Sequence, residues 1–369
     1  MIANVTIPQL DPLPIPAPPG LLWFLMMLGF LLHLLPMNFV LGGTPIALAA
    51  RWRARDGLHP QHAALARWFA RTLPVAIAAA VTFGVVPLLF VQALYGRLFF
   101  TSAVLLARYW FAVVPVLILC YYGAYLLAFR QDLPRRAAVP VAAFATLGFL
   151  VIGFVYSNNM SLMLRPDVFA AWYSESGRGL HLNTSDPTLW PRYLHFVLGA
   201  AGVAGLVIAW FGVAQQRSHP DLGRWAVRYG GGWCAIATLL NFIVGLWWLG
   251  VLPRDLLLEF ITGGSIGAVG FGIGIATGLA ALVLAAVAAF HPAPLRPMRY
   301  ASLAMLVTLV GMILARDRVR QSALDSHGFV SNPWIAPQWG PIAIFAGLMV
   351  AAIALVVWMI VALARGTRR

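Results

Sequence analysis

Two histidines of this sequence lie inside long apolar stretches, where an ionisable side chain is costly and usually functional. His33 lies near the middle of residues 21–51, LLWFLMMLGFLLHLLPMNFVLGGTPIALAAR. Gly29 precedes it and Met37 follows it by one helical turn, so one helix face presents an imidazole beside an open patch. Such a face suits a flat macrocycle that carries a metal ion. The alternative is an imidazole that hydrogen-bonds to a neighbouring helix.

The second histidine, His195, opens the stretch LHFVLGAAGVAG. Gly199 and Gly202 follow it at i+4 and i+7, which places a groove without side chains along the helix from the imidazole. This pattern suits a porphyrin packed against the backbone better than a bare metal ion, which needs several converging ligands. The alternative is a structural histidine with a hydrogen bond across a helix interface.

A charged cluster occurs in MILARDRVRQSAL. Asp317, Arg320 and Gln321 share one helix face at i, i+3 and i+4, with Arg316 and Arg318 beside them. Haem propionates or an anionic partner would explain these arginines through charge-assisted hydrogen bonds. The alternative is a solvated loop in which the aspartate balances its neighbours.

The composition defines the class of protein that positions these residues. Hydrophobic residues make up 61% of the 369 positions, charged residues 10%, and the mean hydropathy is +0.84. These values exclude a soluble globular chain and predict an all-α, polytopic membrane protein. Cys120 and Cys234 fall inside apolar runs without CxxCH spacing, which argues against disulfides and covalently attached haem.

Apolar runs of sufficient length predict nine transmembrane spans. The spans cover about 21–50, 69–95, 109–129, 137–158, 194–215, 229–251, 261–290, 300–315 and 342–363. They form a single membrane domain, residues 21–369, after a proline-rich periplasmic arm, residues 1–20.

The net charge of +14 comes from 25 arginines, with no lysine, against 11 acidic residues. Sixteen arginines fall on one side of the predicted spans and the other nine on the opposite side. By the positive-inside rule, the N-terminus is outside and the C-terminus is cytoplasmic. The charge therefore reflects topology, and no nucleic-acid partner is expected.

Two further patterns predict contacts between helices. Asn158, Asn159 and Asn241, in or at the ends of spans, predict interhelical hydrogen bonds. Glycines at three- or four-residue spacing in the seventh span predict close helix packing, and these are Gly263, Gly267, Gly270, Gly274 and Gly278.

Three local patterns, their order and the span count together resemble subunit I of the cytochrome bd oxidase superfamily. The patterns are HLLPMNFVLGGTPIALAA, LHFVLGAAGVAGLVIAWF and ARDRVRQ. The resemblance implies that His33 is an axial ligand in the high-spin haem pair and that His195 ligates the low-spin haem. Asp317 stands in place of a family glutamate and would support or ligate the second high-spin haem iron. Arg320 and Gln321 match the family's Arg–Gln pair, and Arg320 with its neighbours would hold propionates.

The chain also departs from the family pattern. Its third span, YWFAVVPVLILCYYGAY, has Trp110 and Ile118 where the oxidases carry glutamates. The seventh span lacks the methionine that ligates the low-spin haem, and the loop LGVLPRDLLLEF is too short for a quinol-binding insertion. These departures argue against conventional quinol oxidation and against rapid oxygen reduction, because protons must reach a site in low dielectric. Met160, Met163 and Met312 lie at a depth compatible with the missing sixth ligand.

The sequence therefore predicts a haem-b-binding redox subunit of a bacterial inner membrane, with one to three haems, that passes electrons at the outer face. The absent quinol loop predicts a c-type cytochrome as its partner, and the resemblance implies a second membrane subunit and lipid contact. The predicted cofactor-binding residues are His33, Met37, His195, Gly199, Gly202, Asp317, Arg320 and Gln321, with Met312 as a further iron ligand. Two alternatives are a cofactor-free permease with His33 in a polar path and a structural subunit that has lost its cofactors.

Overall fold

The computed structural model describes residue 9 and residues 13–54 and 58–366, with the backbone alone at 360 and 363–366. Residues 1–8 and 10–12 of the predicted arm, and Arg55, Arg368 and Arg369 of the arginine count, lie outside the described residues. All nine predicted spans fall inside them.

The described chain is a succession of helices. In chain order these are α1 Pro19–Arg53, α2 Pro60–Leu105, α3 Ala107–Phe129, α4 Arg135–Leu162, a 3-10 turn Pro166–Val168, α5 Phe169–Glu175, α6 Leu189–Gln215, α7 Pro220–Gly250, α8 Arg254–Thr262, α9 Ile266–Phe290, α10 Leu295–Ser326 and α11 Trp339–Gly366. Within the described ranges, nine of them are long and apolar enough to cross a membrane, and only α5 and α8 are not. The prediction of a nine-span helical membrane protein is confirmed.

The predicted start of the seventh span, residue 261, is wrong. Residue 261 instead belongs to the short helix α8, Arg254–Thr262, which ends where Gly263 adopts a left-handed conformation with φ +77°. The chain then restarts at Ser265, whose hydroxyl accepts a hydrogen bond from the Ala268 amide at 3.2 Å and caps α9. Left-handed glycine and a serine N-cap are signals that stop and start helices.

Several other helices run further than predicted, and two of these extensions bear on the candidate site. α2 continues beyond residue 95 to Leu105, with a break in helical geometry at Tyr95, φ −130° and ψ 24°. α10 continues beyond residue 315 to Ser326, so the ARDRVRQ segment is helical. Both extensions lie at the end of the bundle where α1 begins, here called the N-terminal end.

Glycines allow the backbones of neighbouring helices to touch. A β-carbon at Gly205 of α6 would lie 2.6 Å from the amide nitrogen of Cys234 in α7. A β-carbon at Gly42 of α1 would lie 2.1 Å from the carbonyl oxygen of Ala200 in α6. Any side chain at these positions would force the helices apart, so the glycines set the spacing of α1, α6 and α7.

The predicted glycine contacts of the seventh span are largely confirmed. Gly267, Gly270 and Gly274 of α9 pack against α10, where a β-carbon at Gly311 would lie 2.3 Å from the carbonyl oxygen of Gly270. Gly263 differs because it ends α8 and takes no part in this contact.

A buried polar network fixes the end of α4. Asn159 Oδ1 accepts a hydrogen bond from Ser102 Oγ of α2 at 2.8 Å, and Asn158 Oδ1 accepts one from the Asn183 amide at 2.9 Å. Asn183 in turn donates to Ser161 Oγ at 3.1 Å. The predicted interhelical hydrogen bond is confirmed for Asn159, whereas Asn158 bonds to the loop before α6. Both bonds hold the stretch of α4 that carries Met160.

Helix α8 is held against α10 by an ion pair. Arg318 donates from Nε and Nη2 to the two carboxylate oxygens of Glu259, at 2.6 and 2.7 Å. The Arg318 guanidinium lowers the pKa of the Glu259 carboxyl below its ordinary value. The side chains are 25% and 19% exposed, so water screens this pair only in part.

We expect Glu259→Gln to destabilise the protein by about 1–2 kcal/mol, because it removes the charge from a bidentate pair. Thermal unfolding in detergent, followed by circular dichroism, measures the change. Because folding lowers the pKa of Glu259, the wild-type advantage is present at neutral pH and is lost as the pH falls through the folded-state pKa. Asp221→Asn is the control, since its pair with Arg224 is 87% and 71% exposed and should change stability by less than about 0.5 kcal/mol. Equal effects of the two variants would contradict the prediction.

Candidate cofactor cavity

A cavity of about 330 Å³ lies between α1, α4, α6, α7, α9 and α10. Along α10 it extends from Met305 to Arg320, roughly 22 Å at the helical rise. Its walls are mostly apolar, and its polar lining consists of Asn38, Arg192, His195, Thr238, Asn241, Trp248, Thr308, Arg316 and Arg320. Its volume lies in the range of pockets that hold small ligands and cofactors.

His195 lines this cavity, and its ring edge lies against α7. A β-carbon at Gly245 would lie 3.7 Å from His195 Nδ1 and Cε1. Gly199 also lines the cavity. A β-carbon at this position would contact only Asn241 Nδ2, at 3.4 Å. Gly202 does not line it, because α7 covers that position with Thr238 Oγ1 at 3.1 Å. The predicted groove therefore exists beside Gly199 alone.

Several buried polar atoms around the cavity lack hydrogen-bond partners within the described part of the chain. They are His195 Nδ1, Asn241 Oδ1, Trp248 Nε1 and Arg320 Nε. Asn241 was predicted to form an interhelical hydrogen bond, but its Oδ1 forms none within the described residues. Buried polar groups in native proteins are normally satisfied, so their concentration here indicates a site for a ligand or for water.

Arg192 and Arg316 bring two guanidinium groups to the N-terminal end of the cavity. Arg316 stacks between two rings, with its guanidinium carbon 4.4 Å from the ring centre of Phe30 and 5.8 Å from that of Phe196. Among the described residues, neither guanidinium has a carboxylate within salt-bridge distance or an acceptor within hydrogen-bond distance, and Asp186 and Asp317 act on Arg192 and Arg316 only from further away. Arg192 lies one turn before His195 on the same helix face. This spacing is visible in the sequence, but Arg192 entered the predictions above only as one of the arginines counted for membrane topology.

Asp317 lies beside this cavity in a closed hydrogen-bond cluster. Its Oδ2 accepts from Trp23 Nε1 at 2.6 Å and from Gln321 Nε2 at 2.7 Å, and its Oδ1 accepts from the Arg320 guanidinium. Asp317 is 3% exposed and Arg320 7%, so the alternative of a solvated loop is wrong. Because three donors already engage the carboxylate, an iron ion at Asp317 would have to displace them.

Arg320 is neutralised by the same cluster. Besides Asp317, it contacts Met26 Sδ at 3.5 Å and lies 5.0 Å from the ring centre of Tyr95. It reaches the cavity wall, but its charge is already paired inside the protein.

His33 lies outside the cavity lining and contacts α2. Its Nδ1 donates a hydrogen bond to the Ala80 carbonyl at 2.8 Å, which is the alternative interpretation given above. The expected open patch at Gly29 is filled, because a β-carbon there would lie 2.5 Å from Val86 Cγ1. Met37 packs in a separate core cluster with Phe39. The structure therefore does not bring His33 and His195 into one site.

Four methionines share the cavity wall with His195, namely Met160, Met163, Met305 and Met312, and the first two and the last are the predicted candidates for an iron ligand. Met312 folds against α9, where a β-carbon at Gly274 would lie 2.8 Å from its terminal methyl. No group of three or more His, Cys, Asp or Glu side chains converges within the described ranges. The donor set of an imidazole and thioethers fits a haem iron better than a bare metal ion.

The chain was compared with known proteins. No protein-family model matches it, and no curated protein matches its sequence. Its structure is similar to that of bd oxidase from Geobacillus thermodenitrificans, with a TM-score of 0.75 over 96% of this chain and 99% of that chain, at 12% sequence identity. At this identity the similarity establishes the fold, so the predicted resemblance is confirmed at the level of the fold.

The buried pair of Asp317 and Arg320 generates a prediction about stability. We expect Asp317→Ala to destabilise the protein by about 3–5 kcal/mol, because it leaves the Arg320 charge buried without a partner. Thermal unfolding in detergent measures the change. Asp132→Ala is the matched control, since its pair with Arg130 is 71% and 60% exposed and its loss should leave the unfolding temperature unchanged. An Asp317→Ala protein as stable as the control would contradict this role.

Proposed function

We propose that this chain is a haem-b-binding redox subunit of a bacterial inner membrane, with one haem in the cavity and His195 as its protein ligand. The cavity's unsatisfied polar atoms, gathered in a wall that holds one imidazole and four thioethers, carry the proposal. The similarity to the bd oxidase fold supports it. A haem bound there would supply one-electron redox chemistry.

His195 is suited to hold the iron through Nε2. Its Nδ1 is buried and its ring lies against α7, near Gly245 and the Asn241 backbone, so we propose Nε2 as the nitrogen that would face the cavity. Gly199 leaves room for a flat ring beside the imidazole. Of the methionines in the wall, we propose Met160, Met163 or Met312 as the second ligand, in place of the family methionine that the seventh span lacks. A thioether ligand and an apolar wall that excludes water both raise the reduction potential of a haem.

Packing near Asp317 supports a single haem rather than a high-spin pair. The space between α1, α2, α3 and α4 is filled by a core cluster that includes Met26, Phe99 and Leu162, each at most 2% exposed. Trp110, in place of a family glutamate, lies 4.9 Å from Tyr156 between ring centres. We propose that His33 joins α1 to α2 through Ala80, and that the chain transfers electrons without reducing oxygen.

The electron partners follow from the same layout. The positive-inside rule places the N-terminal end of the bundle, and with it the His195 end of the cavity, at the outer membrane surface. The connection between α7 and α9, where the resemblance would imply a quinol-binding insertion, contains the nine-residue helix α8. We therefore propose a c-type cytochrome as redox partner. The large apolar side chains exposed along α3 and α11, Phe111 and Trp358 among them, would face lipid or a second membrane subunit.

We expect the purified wild type to contain one haem b per chain, His195→Ala to lose it, and His33→Ala to retain it, because only His195 lines the cavity. Pyridine haemochrome assay against protein concentration gives the count, and reduced-minus-oxidised spectra show whether the haem is redox-active. Wild type without haem, after expression with adequate haem supply, would overturn the proposal in favour of a permease or structural subunit. Two haems per chain, with one lost in each variant, would show that His33 is also a ligand.

A second expectation concerns the space beside the imidazole. Gly199→Leu should lower haem affinity roughly tenfold or more, because it fills cavity volume while its β-carbon meets only Asn241 Nδ2 of the neighbouring helix. Soret titration of the haem-free protein measures the affinity. Gly232→Leu is the matched control, since a β-carbon at Gly232 of α7 meets nothing within 4 Å. If Gly199→Leu binds haem as tightly as Gly232→Leu, the ring does not occupy the groove at Gly199.

A further inference from the structure

Two half-buried cations at the N-terminal end of the cavity have no ion-pair partner within the described residues. Arg192 and Arg316 both line the cavity, and the acidic residues that act on them, Asp186 and Asp317, lie beyond salt-bridge distance. Taking a charge out of water is unfavourable unless a partner compensates it. An anionic group bound in the cavity would supply that partner.

Helix geometry places these cations at one level. Arg192 precedes His195 by three residues on α6, about 4.5 Å along the helix axis. Arg316 of α10 reaches the same level because its guanidinium packs on Phe196, the residue after His195. Trp248 lies three residues after Gly245 on α7, and Gly245 lies beside His195. The Trp248 Nε1 is a buried donor without an acceptor in the described part of the chain. Three donors from three helices thus lie at one end of an apolar cavity.

Arg316 is held in this position by its surroundings. The rings of Phe30 and Phe196 flank its guanidinium, which restricts its motion while leaving its N–H groups without protein acceptors. Arg320, the nearby cation suggested by the sequence, is bound to Asp317. The free positive charge at the cavity therefore comes from Arg192 and Arg316.

We propose that Arg192 and Arg316, with the Trp248 indole N–H, form a receptor for the carboxylates of an amphiphilic ligand, and specifically for the two propionates of the haem. The assignment of the ligand rests on the function proposed above. The receptor fixes the ring orientation, with its charged edge toward the N-terminal end and its apolar edge toward Met305.

Binding of protohaem and of protohaem dimethyl ester to the haem-free protein in detergent tests this proposal, with Soret absorbance as the readout. The wild type should bind the free acid at least tenfold more tightly than the ester, because esterification removes charge-assisted hydrogen bonds. In Arg192→Gln/Arg316→Gln this preference should disappear, since the double variant offers neither cation. Arg178→Gln, an exposed substitution at the same end of the bundle, should retain it.

The outcomes separate the two proposals. Equal binding of acid and ester by the wild type, or a preference that survives in the double variant, overturns the receptor and leaves the haem site standing. Failure of the wild type to bind either form overturns the haem site itself.

Thermal unfolding of the haem-free proteins gives an independent readout. The double variant should be no less stable than the wild type, because removing the two cations relieves their desolvation and mutual repulsion, which outweighs the lost contacts of Arg316 with Phe30 and Phe196. A lower stability would show a structural role instead.

Discussion

Close approach of helix backbones at glycines is the constraint on which this bundle depends. Within a membrane, lipid is as apolar as the helix surfaces, so van der Waals contact and hydrogen bonds must hold the helices together. At Gly42, Gly205 and Gly311 the neighbouring backbone lies where a side chain would be. At Gly199 the same absence of a side chain faces open space. Glycine therefore brings helices together in most of the structure and leaves room for a ligand in one place.

The charged groups inside the bundle follow a second constraint. Arg320 is acceptable because Asp317 neutralises it and because Trp23 and Gln321 satisfy the carboxylate's other oxygen. Arg192 and Arg316 lie half-buried at the cavity wall, without a carboxylate within salt-bridge distance in the described part of the chain. A bound anion would neutralise Arg192 and Arg316 as Asp317 neutralises Arg320. Its binding would then stabilise the folded state.

The two intramembrane histidines show how one sequence signal can have two structural meanings. Both have glycine one turn away and lie in long apolar helices. At His33 the neighbouring helix supplies a carbonyl, and Val86 fills the space next to Gly29. At His195 the neighbouring helix offers glycine at 245, which leaves Nδ1 unsatisfied and the space beside Gly199 open. The difference comes from α2 and α7, and neither histidine segment encodes it.

What the sequence determined by itself was local. Apolar run length predicted nine spans, because the bilayer requires about 20 apolar residues per helix and every backbone group bonded within it. Helical spacing predicted the contacts of Asp317 with Arg320 and Gln321 and the packing face of Gly267, Gly270 and Gly274. Tertiary structure alone decided the other contacts. Trp23, 294 residues away, completes the Asp317 cluster. Helix α7 covers Gly202, and Arg192 lines the same cavity as Arg316. Those outcomes depend on how each helix is rotated about its axis, and that rotation is determined only when all the helices pack against one another.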